Sequence, residues 1–169
     1  MSKIFVDTIE PKTTGGTVTV TNPTVPFGKI LQVQNTVTTG SSNSQSASEV
    51  IYQTVSITPS ATSSKILVSA FGAGSVICGS SGILQTQIYR GSSMSDPMIT
   101  RSYSGLGAGV TNGHEHYITA HVTVVDSPNT TSAITYSFSA QKGSGGTTSV
   151  RIFGAAWAPV TMTLMEIGA

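Results

Sequence analysis

The chain has 169 residues, the size of one domain with a single core, and its 8 basic and 7 acidic side chains leave a formal net charge of +1. Only 9% of the residues are charged and 38% are hydrophobic, against about 25% charged in an ordinary soluble domain, and without clustered Lys or Arg there is no footprint for nucleic acid or an anionic membrane surface. One cysteine, Cys78, excludes an internal disulfide; residues 1–10 show no basic segment leading into an apolar run, and no apolar stretch approaches the ~18 residues of a span, so neither a secretion signal nor membrane insertion is expected.

In chain order, Lys3 to Lys12 is the densest charged stretch, and its apolar residues Ile4, Phe5, Val6 and Ile9 are too few to bury one another. They are expected to dock on another subunit or protein. Thr17-Val18-Thr19-Val20-Thr21 alternates like a short strand and ends at Asn22-Pro23 and Val25-Pro26. Residues 1–25 therefore read as an extended arm with a linker, and residues 26–169 as one domain.

Within that domain β-branched residues dominate and apolar positions recur at period two. Strands are predicted at Lys29 to Val37, Tyr52 to Ile57, Lys65 to Phe71, Ile83 to Tyr89, His116 to Val125, Ala133 to Ala140, Val150 to Gly154 and Val160 to Ile167. Breakers lie between them: a Ser/Gln-rich loop at Gly40 to Ser48, turns at Thr58-Pro59-Ser60 and Asp126-Ser127-Pro128-Asn129, and a glycine hairpin at Lys142 to Gly146. No stretch carries helical periodicity. About eight to ten short strands with antiparallel turn chemistry predict an all-β fold, an antiparallel β-sandwich of jelly-roll-like type with a short extended N-terminal arm. A surface this poor in Lys and Glu predicts that part of it lies inside an assembly.

The opening Lys3-Ile4-Phe5-Val6-Asp7-Thr8-Ile9-Glu10-Pro11-Lys12 resembles the start of fibre and appendage proteins of marine tailed bacteriophages, cyanophages among them. The rest is similar to a β-domain of the same proteins through Gly28-Lys29-Ile30-Leu31-Gln32-Val33, Ser56-Ile57-Thr58-Pro59-Ser60, Ser64-Lys65-Ile66-Leu67-Val68, Val124-Val125-Asp126-Ser127-Pro128-Asn129-Thr130-Thr131 and Thr163-Leu164-Met165-Glu166-Ile167. The resemblance implies a structural role in the virion as a short fibre, adaptor or capsid decoration. It further implies a homotrimer attached through Ile4, Phe5, Val6 and Ile9 to a capsid, portal or tail protein. Typical fibre proteins carry long repetitive shafts, whereas only Thr13 to Phe27 separates arm from domain here, which argues against a long receptor-reaching fibre and leaves a short adaptor or surface knob and a receptor-binding tip as equal alternatives.

The resemblance supplies no catalytic motif, and the residues supply none either. The acidic residues Asp7, Glu10, Glu49, Asp96, Glu115, Asp126 and Glu166 form no recognisable pair for glycoside hydrolysis. Asp126 reads as a turn cap, Glu49 as the end of a polar loop, and Cys78 as a small buried apolar residue. Glycine runs at Gly72 to Gly82 and Gly105 to Gly113 read as bulged turns, since no helix follows to complete a phosphate cradle. His114-Glu115-His116 puts two imidazoles on one face of a strand, where they could ligate a metal, with His121 on the opposite face; no metal and no cofactor is assigned. Exposed aromatics beside hydroxyls suit carbohydrate, so Tyr103, Tyr117 and Trp157 are the candidates for contacting a host surface glycan, with Gly40 to Ser48 and Ser102 to Gly113 as loops.

Overall fold

The computed structural model describes residues 29–39, 43–45, 48–78, 82–106, 114–143, 147–152 and 158–168. Every regular element among them is a strand: β1 (Ile30–Thr38), β2 (Asn43–Gln45), β3 (Val50–Ile57), β4 (Lys65–Cys78), β5 (Gly82–Arg90), β6 (Met98–Leu106), β7 (His114–Asp126), β8 (Ile134–Lys142), β9 (Thr147–Ile152) and β10 (Val160–Ile167). All pairings are antiparallel.

One sheet runs β1-β10-β4, with β7 on the far side of β4, and the other runs β3-β8-β5-β6. Without β2 and β9, the eight remaining strands alternate between sheets in the order of a jelly roll, and only β5 to β6 is a same-sheet hairpin. The two extra strands lengthen the first sheet. β10 pairs Lys65 to Phe71 of β4, β9 pairs Gly74 to Cys78 on the same edge, and β2 pairs β9 as β1 pairs β10. Backbones crowd where one partner replaces the other: a Cβ at Gly74 would lie 2.7 Å from the Arg151 carbonyl oxygen, so no larger residue fits without a shift.

The alternation read from sequence decides the layers. Along β10, Val160, Met162, Leu164 and Glu166 are buried, while Thr161, Thr163, Met165 and Ile167 are half-buried and face outward. Ile66, Val68 and Val76 of β4, Leu84 and Ile88 of β5, and Tyr136 and Phe138 of β8 meet them at the sandwich centre, all 0% exposed.

Four expectations need correction. β6 (Met98–Leu106) was not foreseen, because Thr, Arg, Ser and Gly interrupt its apolar pattern; among the described residues it is an edge strand paired on one side, where such residues are tolerated. The predicted glycan-contacting loop from Ser102 consequently begins inside a strand. β2 occupies part of the Gly40 to Ser48 loop, paired with β9. The run Gly72 to Cys78 is strand, because β7 pairs β4 without interruption to Cys78.

Phe138 is 0% exposed at the sandwich centre. Phe138→Ala is expected to lower unfolding free energy by about 3 to 5 kcal/mol in chemical denaturation, whereas Thr119→Ala on the exposed face stays within about 0.5 kcal/mol.

Candidate functional site

The inward row at one end of the larger sheet is polar. Cross-strand partners run Gln32–Glu166–Ile66–Asp126 over β1, β10, β4 and β7, so two carboxylates enter the core on either side of Ile66. Glu166, 0% exposed, accepts hydrogen bonds at Oε1 from the Ser60 backbone N–H (2.7 Å) and the Ser60 hydroxyl (2.6 Å), and at Oε2 from Gln32 Nε2 (2.7 Å). Gln32 Nε2 also donates to the Thr58 carbonyl at 2.6 Å. Burial alone would raise the Glu166 pKa; the polar groups of Ser60, Ser64 and Gln32 around it outweigh it and hold the carboxyl at about 2.

Asp126, at the end of β7, takes a two-pronged contact from Arg90 of β5, with Nε at 2.8 Å from Oδ2 and Nη2 on Oδ1. The Tyr136 hydroxyl of β8 donates to Oδ2 at 2.7 Å. Burial pushes this carboxyl up, and Arg90 with Tyr136 pulls it further down, so it ends below the ordinary carboxylate value. Burial, followed by Asp126, pushes the Tyr136 phenol up. Asp126 therefore joins the two sheets and is not mainly the turn cap that its Ser-Pro neighbours suggested.

Two carboxylates two strands apart, about 10 Å at normal strand spacing, invite the question of hydrolysis. Acid catalysis needs one carboxyl kept protonated near neutrality, and both of these are driven toward ionisation. Both are also 5% exposed or less and occupied by internal donors, so neither offers an oxygen to a substrate. Their chemistry is structural.

The outward face of the same sheet has a different pattern of rows. Next to the carboxylate row, Val33, Met165, Leu67 and Val125 are consecutive cross-strand partners and form an unbroken apolar row across four strands. Val33 is 50% and Val125 52% exposed. A hydroxyl and amide row follows, Asn35–Thr163–Ser69–Thr123, with Asn35 Nδ2 donating to Thr163 Oγ1 at 2.8 Å and a 3.0 Å hydroxyl pair between Ser69 and Thr123. Then come Val37–Thr161–Phe71–His121, where Phe71 is 48% exposed. Among the described residues β1 is an edge strand, and its nine residues include no Lys, Arg, Asp, Glu or Pro to discourage pairing with another chain.

The aromatic candidates do not form one site. Tyr103, 60% exposed, stands on the outer face of the smaller sheet opposite Gln85, with Arg101 Nη1 3.5 Å from its hydroxyl. Tyr117 stands on the outer face of the larger sheet, opposite Ser75. Trp157 and the arm residues Ile4, Phe5, Val6 and Ile9 lie outside the described residues. Glu49 accepts from the Ser139 hydroxyl on the smaller sheet, beyond the loop-end role expected of it.

The β4–β7 register is unbroken, so His114 and His116 share the inward face and His121 faces outward, as parity required. Glu115, between the two histidines, points to the other side, where it accepts from the Ser75 hydroxyl at 2.5 Å and lies 3.5 Å from Arg151 Nη1. Among the described residues no three His, Cys, Asp or Glu side chains are grouped to hold a metal.

Sequence reasoning missed the donors around Glu166, although a signal was present. The alternation Val160, Met162, Leu164 puts residue 166 inside by parity, and a carboxylate there demands partners. Its partners sit 106 and 134 positions away, where no local pattern could identify them.

No protein-family model matches the chain, and no curated protein matches it. Among solved structures, the infectious bursal disease virus VP2 subviral particle aligns over 80% of this chain and 39% of that one, at 13% identity and a TM-score of 0.37. The Gt strain of that virus aligns over 91% and 42%, at 15% identity and a TM-score of 0.38. T=1 particles derived from the virus align over 80% and 37%, at 13% and 0.40. This chain spans about two fifths of the length of those proteins. The overlap is too slight to transfer any residue, and the jelly-roll assignment rests on the strand order above.

Because the Glu166 pKa is lowered from 4.5 to about 2, its contribution to stability is fully present above pH 4.5 and is lost as pH falls toward 2. The thermal midpoint of the natural chain should fall steeply across that window. Glu166→Gln should have a lower midpoint at pH 7 and a shallower fall, the remainder belonging to Asp126; calorimetry from pH 2 to 7 measures both.

Proposed function

We propose that the chain is a non-enzymatic structural subunit of a virus particle, and that the outward face of its larger sheet packs against other copies. The observation that carries this reading is the apolar row Val33–Met165–Leu67–Val125, flanked by Val37 and Phe71, on a stretch of that sheet face whose cross-strand rows from Leu67 to Phe71 contain no Lys, Arg, Asp or Glu. Contiguous exposed apolar surface marks interaction sites. With 9% charged residues the chain also has little electrostatic means of staying apart from its neighbours. The jelly roll suits the role, although a fold by itself assigns no function.

The finer reading rests on the resemblance of the sequence to tailed-phage appendages. In it the domain at 26–169 is a homotrimer, and the arm at 1–25 docks through Ile4, Phe5, Val6 and Ile9 on a capsid, portal or tail protein. The protein is then a short fibre, adaptor or capsid decoration located on the virion. A receptor-binding tip for a host surface glycan is the second reading; its supporting observation is Tyr103, an exposed aromatic with Arg101 beside it.

Electron cryo-microscopy of the intact particle separates these readings: density on the shell means decoration, density at the tail means an adaptor or tip, and absence of the chain overturns the proposal. In solution the full chain should sediment as a trimer, and Leu67→Lys, placing a charge in the apolar row, should shift it to monomer with its circular dichroism spectrum unchanged. A natural chain that is monomeric, or a variant that still sediments with it, would show that the row is not the interface.

A further inference from the structure

The outward face of the smaller sheet carries a polar network that neither the core nor the apolar row of the larger sheet uses. Because Tyr136 and Phe138 of β8 and Leu84 and Ile88 of β5 point into the core, Ser137, Ser139, Gln87 and Tyr89 point outward by parity. Two neighbouring cross-strand rows result. One is Ile51–Ser139–Gln87–Arg101 over β3, β8, β5 and β6, and the other is Thr54–Ser137–Tyr89. Polar side chains on the outer face of an antiparallel sheet are ordinarily solvated, yet Gln87, Ser137 and Ser139 are 0% exposed.

An independent observation points to a ligand. Nε2 of Gln87 and Oγ of Ser137 are inaccessible to solvent and have no hydrogen-bond partner. They stand on adjacent strands one diagonal step apart, about 7 to 8 Å between Cα atoms. Buried polar groups without partners are destabilising, and a bound molecule that supplies the missing bonds accounts for both. The groups around them are already oriented. Ser139 donates to Glu49 and lies 3.5 Å from Gln87 Oε1. Burial, followed by the Glu49 carboxylate, pushes the Tyr89 phenol up to about 12, which keeps it a donor. On β6, Arg101 and Tyr103 are exposed, with Arg101 Nη1 3.5 Å from the Tyr103 hydroxyl.

This set of groups is mixed: amide and hydroxyl groups, one carboxylate, one guanidinium and an exposed aromatic ring. An anion calls for several cations and a cation for several carboxylates, whereas donors and acceptors in balance beside an aromatic face suit a neutral polyhydroxylated molecule. We propose that this face binds a neutral saccharide, with Gln87 and Ser137 hydrogen-bonding its hydroxyls and Tyr103 packing on a sugar ring. Arg101, beside Gln87 in its row, is long and exposed, and its rotation is the motion that admits the sugar to the amide. The inference rests on the receptor-binding reading above and deepens it by naming the site and the class of sugar. The site is on the other sheet from the apolar row, so association through that row leaves it open and several copies add avidity.

The full chain is applied to an array of defined neutral and anionic oligosaccharides, and the strongest binder is titrated by calorimetry. A neutral sugar is expected to bind saturably, one per chain. Tyr103→Ala and Gln87→Leu should each weaken it by about tenfold, while Thr119→Ala, on the larger sheet, leaves it unchanged. Replacing an unpaired buried amide by an apolar group of similar size should keep the thermal midpoint of Gln87→Leu equal or raise it, so lost affinity with retained stability is not what a merely structural Gln87 produces. If a neutral sugar binds but both variants bind it as the natural chain does, or if anionic sugars alone bind, this site is overturned and the receptor-binding reading survives. If no glycan binds, both are overturned.

Discussion

Two carboxylates held in their ionised form are buried in one cross-strand row of the larger sheet, and the register of the neighbouring strands follows from the partners that they require. Glu166 and Asp126 flank Ile66 on the inward face of the larger sheet. A buried charge is tolerated only with partners, and removing a partner leaves a penalty of several kcal/mol. Glu166 therefore requires Ser60 and Gln32, which fixes the connection from β3 to β4 where the chain crosses between sheets. Asp126 requires Arg90 and Tyr136, which fixes β7 against the opposite sheet. Slippage by one residue along β10 or β7 would move these groups to the wrong face, so the row sets the register.

Because the inward set is fixed, so is the outward set. Val33, Met165, Leu67 and Val125 must face away from the core, being one residue from Gln32, Glu166, Ile66 and Asp126. The same parity places the hydroxyl row beyond them and directs His114 and His116 inward at the far end. Interior register and exterior composition are thus two consequences of one period-two pattern, and a surface suited to association follows from the way the core is locked.

The strands legible in sequence were those with a clear alternation and a turn signal at each end. Val160 to Ile167 was read with the bounds it has, and Lys65 to Phe71 was read short by the remainder of β4, because Gly72 and Gly74 look like breakers when their neighbours are unknown. β6 was invisible for the opposite reason: an edge strand needs little apolar patterning, since one side of its backbone is left to solvent. Of the candidate residues, the placement of His121 away from His114 and His116 was predictable from parity alone. The separation of Tyr103 from Tyr117 onto opposite outer faces was not, since it depends on which sheet each strand joins.

The all-β class, the alternation that separates core from surface in each strand, and a low content of charge were legible in the sequence, because these are properties of single segments and of composition. Tertiary structure alone decided which distant residues meet: Ser60 and Gln32 at Glu166, Arg90 and Tyr136 at Asp126, and Cys78 opposite His114. The physical reason is that strand pairing is non-local. Every β-strand exposes the same backbone donors and acceptors, and only the packing of all the strands together selects the partner and register of each.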